Sequence, residues 1–436
     1  MKKYFRTARL LGVSIALLFF LGCGPQKFHF KLDELEAPHA TFSKREKFKQ
    51  DLFENTIMKN LGVELTSETE SKWQAALWAM ELSLHRSDSA FNSLKRAFGT
   101  FNRRSLAFQR ALLEAVYCLY PNEFIHEIYD VAQNTPSPKL FAMAIHYLNR
   151  LNPPIQPEFQ NLLLQRFPNW QAQPILFMLH ENLKSSTQPR PPLIDLFSHP
   201  FEQGKTLIFC LQRSDRNYPG LTIIRKPDGQ FLRTQDGDIF HVSHLARAIS
   251  NLPGYITNGN TPQGIFSIQG IDVSNNQFIG QTPNLQLTMP FEISAQKYFH
   301  NEKLNDTTWS EKLYRSLLPE SWRSYLPIWE AYYAGQAGRT EIIAHGTTID
   351  PEFYAGQPYY PNTPSLGCIT AKELWSGENG RCLISDQLRF INAFRLAGSK
   401  KGYFVVVELD DKQQPVVLEE VIMDILKAEG VRELGN

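Results

Sequence analysis

The sequence predicts a multidomain chain that is α-helical first and mainly β afterwards, and three observations predict it. From about residue 41 to 187, apolar residues recur at helical spacing. After the proline-rich break Gln188-Pro189-Arg190-Pro191-Pro192 the pattern changes to short β-type runs. A chain of 436 residues, 42% hydrophobic and 20% charged, can bury two or three cores, which excludes whole-chain disorder. Lys and Arg number 45 against 44 Asp and Glu, so no positive excess exists to neutralise phosphates and no nucleic-acid partner is expected.

The first segment, 1–22, reads as an address. Lys2, Lys3, Arg6 and Arg9 precede the apolar run Leu10 to Leu21, which is shorter than the roughly 20 residues a membrane-spanning helix needs. Gly22 then precedes Cys23. The Gly-Cys pair resembles a bacterial lipobox, which implies cleavage before Cys23 and lipids on its thiol and amine. A simple signal peptide and an uncleaved anchor remain as alternatives. Cleavage leaves 41 basic residues against 44 acidic ones, so no polybasic membrane patch remains. The non-acidic Gly24 resembles the sorting signal of an outer-membrane lipoprotein facing the periplasm. Residues 23–40, opening Gly24-Pro25-Gln26, read as a tether.

The helical domain is expected over 41–187. Trp73, Leu77, Met80 and Leu84 recur at three- and four-residue spacing, as do Leu106, Leu112 or Leu113, Val116 and Tyr120. Leu140, Ala144, Tyr147 and Leu148 repeat the pattern, and prolines at 121, 136, 138, 153, 154 and 157 punctuate it. Stacked helical pairs in a repeat-like array fit this, as does a plain bundle. A protein partner on this half is conceivable, but its function is not readable.

Residues 188–203 read as a linker and 204–412 as the second domain. Thr206 to Leu211 and Gly220 to Arg225 are strand runs, and Lys226-Pro227-Asp228-Gly229 is a turn before Gln230-Phe231-Leu232. Ile265 to Ile268, Glu341 to Ala344 and Tyr403 to Leu409 are further strands, and 295–335 is helical or irregular. Residues 413–436 read as a C-terminal tail or helix.

The chemistry lies in Ile342-Ile343-Ala344-His345-Gly346-Thr347 and Pro364-Ser365-Leu366-Gly367-Cys368-Ile369-Thr370. A cysteine nucleophile needs a thiolate, a base within reach and donors for an oxyanion. His345 ends a strand, so a rigid element holds it. Gly367 permits a tight turn beside the thiol and frees amides for an oxyanion. Cys118 and Cys210 lie in apolar runs and read as buried hydrophobes.

These residues resemble the catalytic motif of the L,D-transpeptidase (YkuD-type) family: a His-Gly at a strand end, then Ser/Thr-x-Gly-Cys. Tyr255-Ile256-Thr257-Asn258-Gly259-Asn260-Thr261-Pro262-Gln263-Gly264-Ile265-Phe266 is similar to the family's upstream Thr-Pro-x-Gly-x-Phe/Tyr strand. The resemblance covers about 204 to 410. It implies a β-sandwich or barrel-like catalytic domain with inserted helices, and acyl transfer on peptidoglycan stem peptides. Cys368 would attack the carbonyl before a terminal D-residue, usually meso-diaminopimelate before D-Ala. His345 would act as base and then acid, with Gly346 orienting its imidazole. Gly367, Cys368 and Ser365 would shape the oxyanion site. Tyr255, Asn258, Thr261, Tyr333 and Thr370 are the groove candidates. The resemblance calls for no metal and no organic cofactor. Leu366 stands where the family often has a second His, and Thr370 where it usually has Arg or Asn. Donor recognition and the choice between transfer and hydrolysis are therefore left open.

Plainer readings stand beside these. Cys368 is otherwise a structural thiol or the partner of Cys382 in a disulfide, and His345 a core histidine. Trp322, Trp329 and Tyr332 line either a groove or a core. Arg339 and Arg381 meet a substrate carboxylate or are solvated surface residues. His241 and His244 lack further ligands for a metal. Three functions follow: an L,D-transpeptidase that crosslinks peptidoglycan or attaches proteins to it, an L,D-carboxypeptidase trimming tetrapeptides, or a wall-binding lipoprotein scaffold without catalysis.

Overall fold

The structure is a computed structural model, and it describes residues 31–150, 156–184, 188–201, 204–304 and 308–433. The expected signal segment, Cys23 and the first part of the tether lie outside the described residues. Leu32–Asn436 forms one compact unit.

The first half is helical. Helix α1 (Phe42–Gln50) runs on through a π-type stretch, Asp51–Met58, into Lys59–Leu61. It is followed by α2 (Glu70–Ser83), α3 (Asp88–Phe98), α4 (Leu106–Leu119), α5 (Ile125–Asn134), α6 (Pro138–Leu148), α7 (Gln156–Arg166) and α8 (Pro174–Asn182). Local chemistry sets the boundaries. Ser87, Ser105 and Ser137 each accept a backbone N–H of the first turn, and Pro138 takes the first position of α6, where its missing N–H costs nothing. Leu84 ends α2 in the left-handed conformation rather than extending its apolar stripe. The stripes bury as expected at Trp73, Leu77, Met80, Leu112, Leu113, Val116, Leu140, Ala144, Tyr147 and Leu148. Leu106 departs from them: it opens α4 and is exposed. Helices pack on near neighbours in the chain, α2 on α4, α5 on α6, and α4 and α8 on α6.

The expected tether and linker are partly folded. Leu35, Ala37 and Ala40 are buried, Ala37 N–H donates to Gly380 O at 2.8 Å, and Cys382 N–H to Leu35 O at 3.0 Å. Within 188–203, helix α9 (Leu193–Ser198) buries Leu193, Leu196 and Phe197 against the C-terminal helix. In both segments a few apolar residues find a surface that the surrounding prolines and polar residues hid from the sequence pattern.

Among the described residues the second half carries ten strands: β1 (Thr206–Gln212), β2 (Gly220–Arg225), β3 (His241–His244), β4 (Gly264–Asp272), β5 (Asn284–Thr288), β6 (Ile343–His345), β7 (Ile369–Thr370), β8 (Glu373–Trp375), β9 (Cys382–Ser385) and β10 (Gly402–Glu408). Eight form one sheet in the order β3-β2-β1-β10-β4-β5-β6-β7, and β8 pairs with β9. Pairing is antiparallel except for β1 with β10 and β6 with β7. The two edges meet: Leu245, just after β3, exchanges hydrogen bonds of 2.8 and 2.9 Å with Thr370 of β7. The sheet thus nearly closes into a barrel. The stretch Gln230 to Leu232 forms an isolated antiparallel bridge between Phe231 and Arg225, with the Leu232 N–H donating to Ile224 O at 2.8 Å, rather than a strand. Between β5 and β6 lie α10 (Ala295–Tyr298), α11 (Glu311–Ser316) and α12 (Glu330–Gln336), with α13 (Asp386–Leu396) and α14 (Ile422–Glu433) later in the chain.

Strands β1 and β10 read as unbroken apolar runs because both faces are covered. Ile208, Cys210, Phe404 and Val406 join a core that also contains the helical half. Leu207, Phe209, Leu211, Tyr403, Val405 and Val407 face the other way, onto α9, the 295–332 helices and α14. Period-two alternation therefore sorts one apolar run into two cores.

Candidate active site

Strand β6 brings His345 to its C-terminal end, and β7 runs parallel to it with Ala344 opposite Ile369 and His345 opposite Thr370. Cys368 lies one residue before β7, so a single parallel pair carries both groups. The His345 Nδ1–Gly346 O distance is 2.5 Å, which places the proton on Nδ1 and leaves Nε2 as the acceptor. The Cys368 thiol donates to Glu341 O at 3.4 Å, and among the described residues it makes no hydrogen bond to the imidazole. Burial pushes the thiol up to about 11 and holds the imidazole down at about 4. Both groups are therefore neutral at rest.

The turn before the thiol is fixed from three sides. Gly367 has φ +114°, a conformation that side chains rarely adopt. Ser365 Oγ accepts the Gly367 N–H at 3.0 Å and donates to Cys368 O at 2.8 Å. Thr261 Oγ1 donates to Gly367 O at 2.9 Å, which ties the upstream Thr-Pro motif to the cysteine turn. Ser365 thus shapes the turn. The side chain of Leu366 beside it is exposed.

Two buried ionisable residues at this site depart from the sequence reading: Glu373 was not singled out, and Arg339 was expected at a substrate carboxylate or on the solvated surface. The Glu373 carboxylate accepts the Thr347 N–H at 2.9 Å and the Ser385 hydroxyl at 2.6 Å. It lies so close behind Gly346 that a Cβ there would sit 2.2 Å from it. Burial raises it to about 7. Arg339 is buried, and its guanidinium donates to the carbonyls of Gly254, Ile256, Gly259 and Asn260. At 3% exposure it is not the solvated surface residue of the plainer reading. Arg381 is exposed and pairs loosely with Glu36 at 3.9 Å. For Glu373, position within a β-rich segment was the only signal.

The groove candidates scatter. Tyr255 is buried, with its hydroxyl on His146 of α6, and Asn258 Nδ2 meets Glu114 of α4 at 3.2 Å. Both face the helical half, because residues 249–260 pack under it rather than line a cleft. Thr261 holds the turn. Thr370 is buried and donates to Thr363 O at 2.7 Å beside the barrel seam. Tyr333 is half-buried, 4.7 Å ring to ring from Phe177 of α8, with its hydroxyl on Glu311. Trp322, Trp329 and Tyr332 belong to the core.

Cys118, Cys210, Cys368 and Cys382 are all free thiols, so Cys368 has no disulfide to Cys382. His244 bonds Thr222 and His241 bonds Ile239 O, and the described residues contain no cluster of three or more His, Cys, Asp or Glu suited to a metal. No described helix is long and apolar enough to cross a membrane. No family model, no curated protein and no solved structure matches this chain.

Proposed function

We propose that this chain is a peptidoglycan L,D-transpeptidase of the YkuD type, a cysteine acyltransferase carried on a bacterial lipoprotein. What supports it most is the parallel pairing of β6 with β7. It sets Cys368 beside the strand that ends in His345, while the Gly346 carbonyl holds Nδ1 and leaves Nε2 for the proton. In the proposed reaction the thiol proton passes to Nε2 as Sγ attacks the carbonyl before a terminal D-Ala. The carbonyl oxygen becomes an oxyanion next to the Cys368 N–H, which has no acceptor among the described residues. The C–N bond breaks, the imidazolium gives its proton to the departing D-Ala amine, and a thioester remains. An amine acceptor then releases the product by the same steps in reverse, giving a 3→3 crosslink. Water in its place gives the tripeptide of a carboxypeptidase. The proposed address is the periplasmic face of the outer membrane, through lipids on Cys23.

The full chain in detergent, incubated with purified muropeptides beside Cys368→Ala and read by mass, tests this. Crosslinked dimers or exchange of the terminal D-amino acid, lost in the variant, are expected. Tripeptide alone would move the reading to the carboxypeptidase. Untouched substrate in both would leave the wall-binding scaffold.

A further inference from the structure

Arg339 follows α12 and is only 3% exposed. Among the described residues no carboxylate hydrogen-bonds to it; its donors go to backbone carbonyls, at 2.7 Å for Gly259, 2.8 Å for Asn260 and 3.2 Å for Ile256, with Gly254 closer still. Glu330 brackets the same loop from its N–H side, accepting from Tyr255 at 3.2 Å and Gln263 at 2.9 Å. The loop is therefore held between a buried cation and a buried acid. Carbonyl dipoles satisfy the donors of a guanidinium but do not cancel its charge, and a buried charge left in that state is costly.

The position of that charge gives it a use. A Cβ built on Gly367 would lie 2.2 Å from Arg339 Nη2 and 3.4 Å from Cζ. The guanidinium fills the space under the residue that precedes the nucleophile. Around the Cys368 thiol, burial acts most against a thiolate, with Glu341 and Glu292 on the same side, while the Ile343 backbone N–H and then Arg339 act for it, and the neutral His345 ends the adjacent strand. Glu330 and Arg216 act in turn on Arg339, which burial lowers only to about 10, so it stays charged at neutral pH.

We propose that Arg339 is a positioning residue for the nucleophile: from beneath Gly367, without touching substrate, its fixed positive charge stabilises the negative charge on Cys368 Sγ. This rests on Cys368 being the nucleophile. A planar, always-charged side chain with five donors suits the task, since it can satisfy four carbonyls at once and still present a cation.

The test is the rate of Cys368 alkylation by iodoacetamide at pH 8.5 in the full chain, with the modified peptide identified by mass. Removing the cation raises the thiol, and each unit of rise cuts the thiolate fraction about tenfold. The more basic thiolate is more nucleophilic, so the net slowing is about threefold per unit. Arg339→Met is expected to slow alkylation at least threefold, and Arg339→Lys, which keeps the charge, to stay within twofold of wild type. A Met variant that melts normally and alkylates at the wild-type rate, or faster because a loosened loop exposes the thiol, would overturn the proposal. Should Arg339→Met not fold, Arg339→Met/Glu330→Gln removes both buried charges together and is read by the same criterion. Alkylation needs no muropeptide, so its outcome is separate from that of the transpeptidase assay.

Discussion

A thiol raised to about 11 and an imidazole lowered to about 4 make a neutral pair, and the direction of both shifts fixes the pH behaviour. In the proposed reaction His345 acts as base only when deprotonated, so activity is expected to be lost as pH falls through about 4 and to be flat across pH 6 to 9. A kcat/KM profile with an inflection near 6.5 would contradict this. Glu373 gives a stability test. Its folded value, about 7, stands above the ordinary 4.5, so the folded chain keeps a proton that the unfolded chain loses. That stabilisation is full below about 4.5 and is lost as pH rises through about 7, by roughly 1–3 kcal/mol. Urea melts at pH 5 and pH 8 should differ less in Glu373→Gln than in wild type. Cys368 and His345 were legible because their spacing and neighbours carry the motif. Glu373 was not, and Arg339 was named but not as a buried residue, because a buried charge is recognised only by what surrounds it.

At the scale of elements, the cysteine turn depends on Gly367. Adding a Cβ there would strain a φ of +114° and drive into Arg339 and the Gly259 carbonyl, 2.2 and 2.4 Å away. Gly367→Ala is expected to abolish turnover and to lower the melt, since the clash meets buried backbone; activity within tenfold of wild type at an unchanged melt would contradict this. The helices α2 and α6 were read from periodicity, and β1 and β10 from their unbroken β-type apolar runs. The two-residue β7 was not, because two residues have no period, and neither was the seam between Leu245 and Thr370. Loop 249–260 was misread for a similar reason. Its Tyr255 and Asn258 sit beside the Thr-Pro motif in sequence, yet they bond to His146 and Glu114, more than 100 positions earlier.

On the scale of the whole molecule, the helical half and one face of the sheet share a single core. Residues Leu252, Tyr255 and Ile256 are buried in it from the β side, so residues 188–436 alone would expose apolar surface that the helices cover. That fragment is expected to be insoluble or to bind hydrophobic dyes, and the full chain to melt in one transition. Phe108→Ala, deep in the helical core, should cost about 3–5 kcal/mol and lower the melt of both halves together. Two separate transitions, with only the first moved, would show independent domains. The sequence showed where helical pattern gives way to β pattern, but a change of pattern does not reveal that two segments bury against each other.

The most direct measurement is the intact mass of the full chain after brief exposure to a disaccharide tetrapeptide ending in D-Ala. An adduct equal to the disaccharide tripeptide acyl group, mapped to Cys368, is expected, with one free D-Ala released for each adduct. An unmodified Cys368 together with no free D-Ala would contradict it.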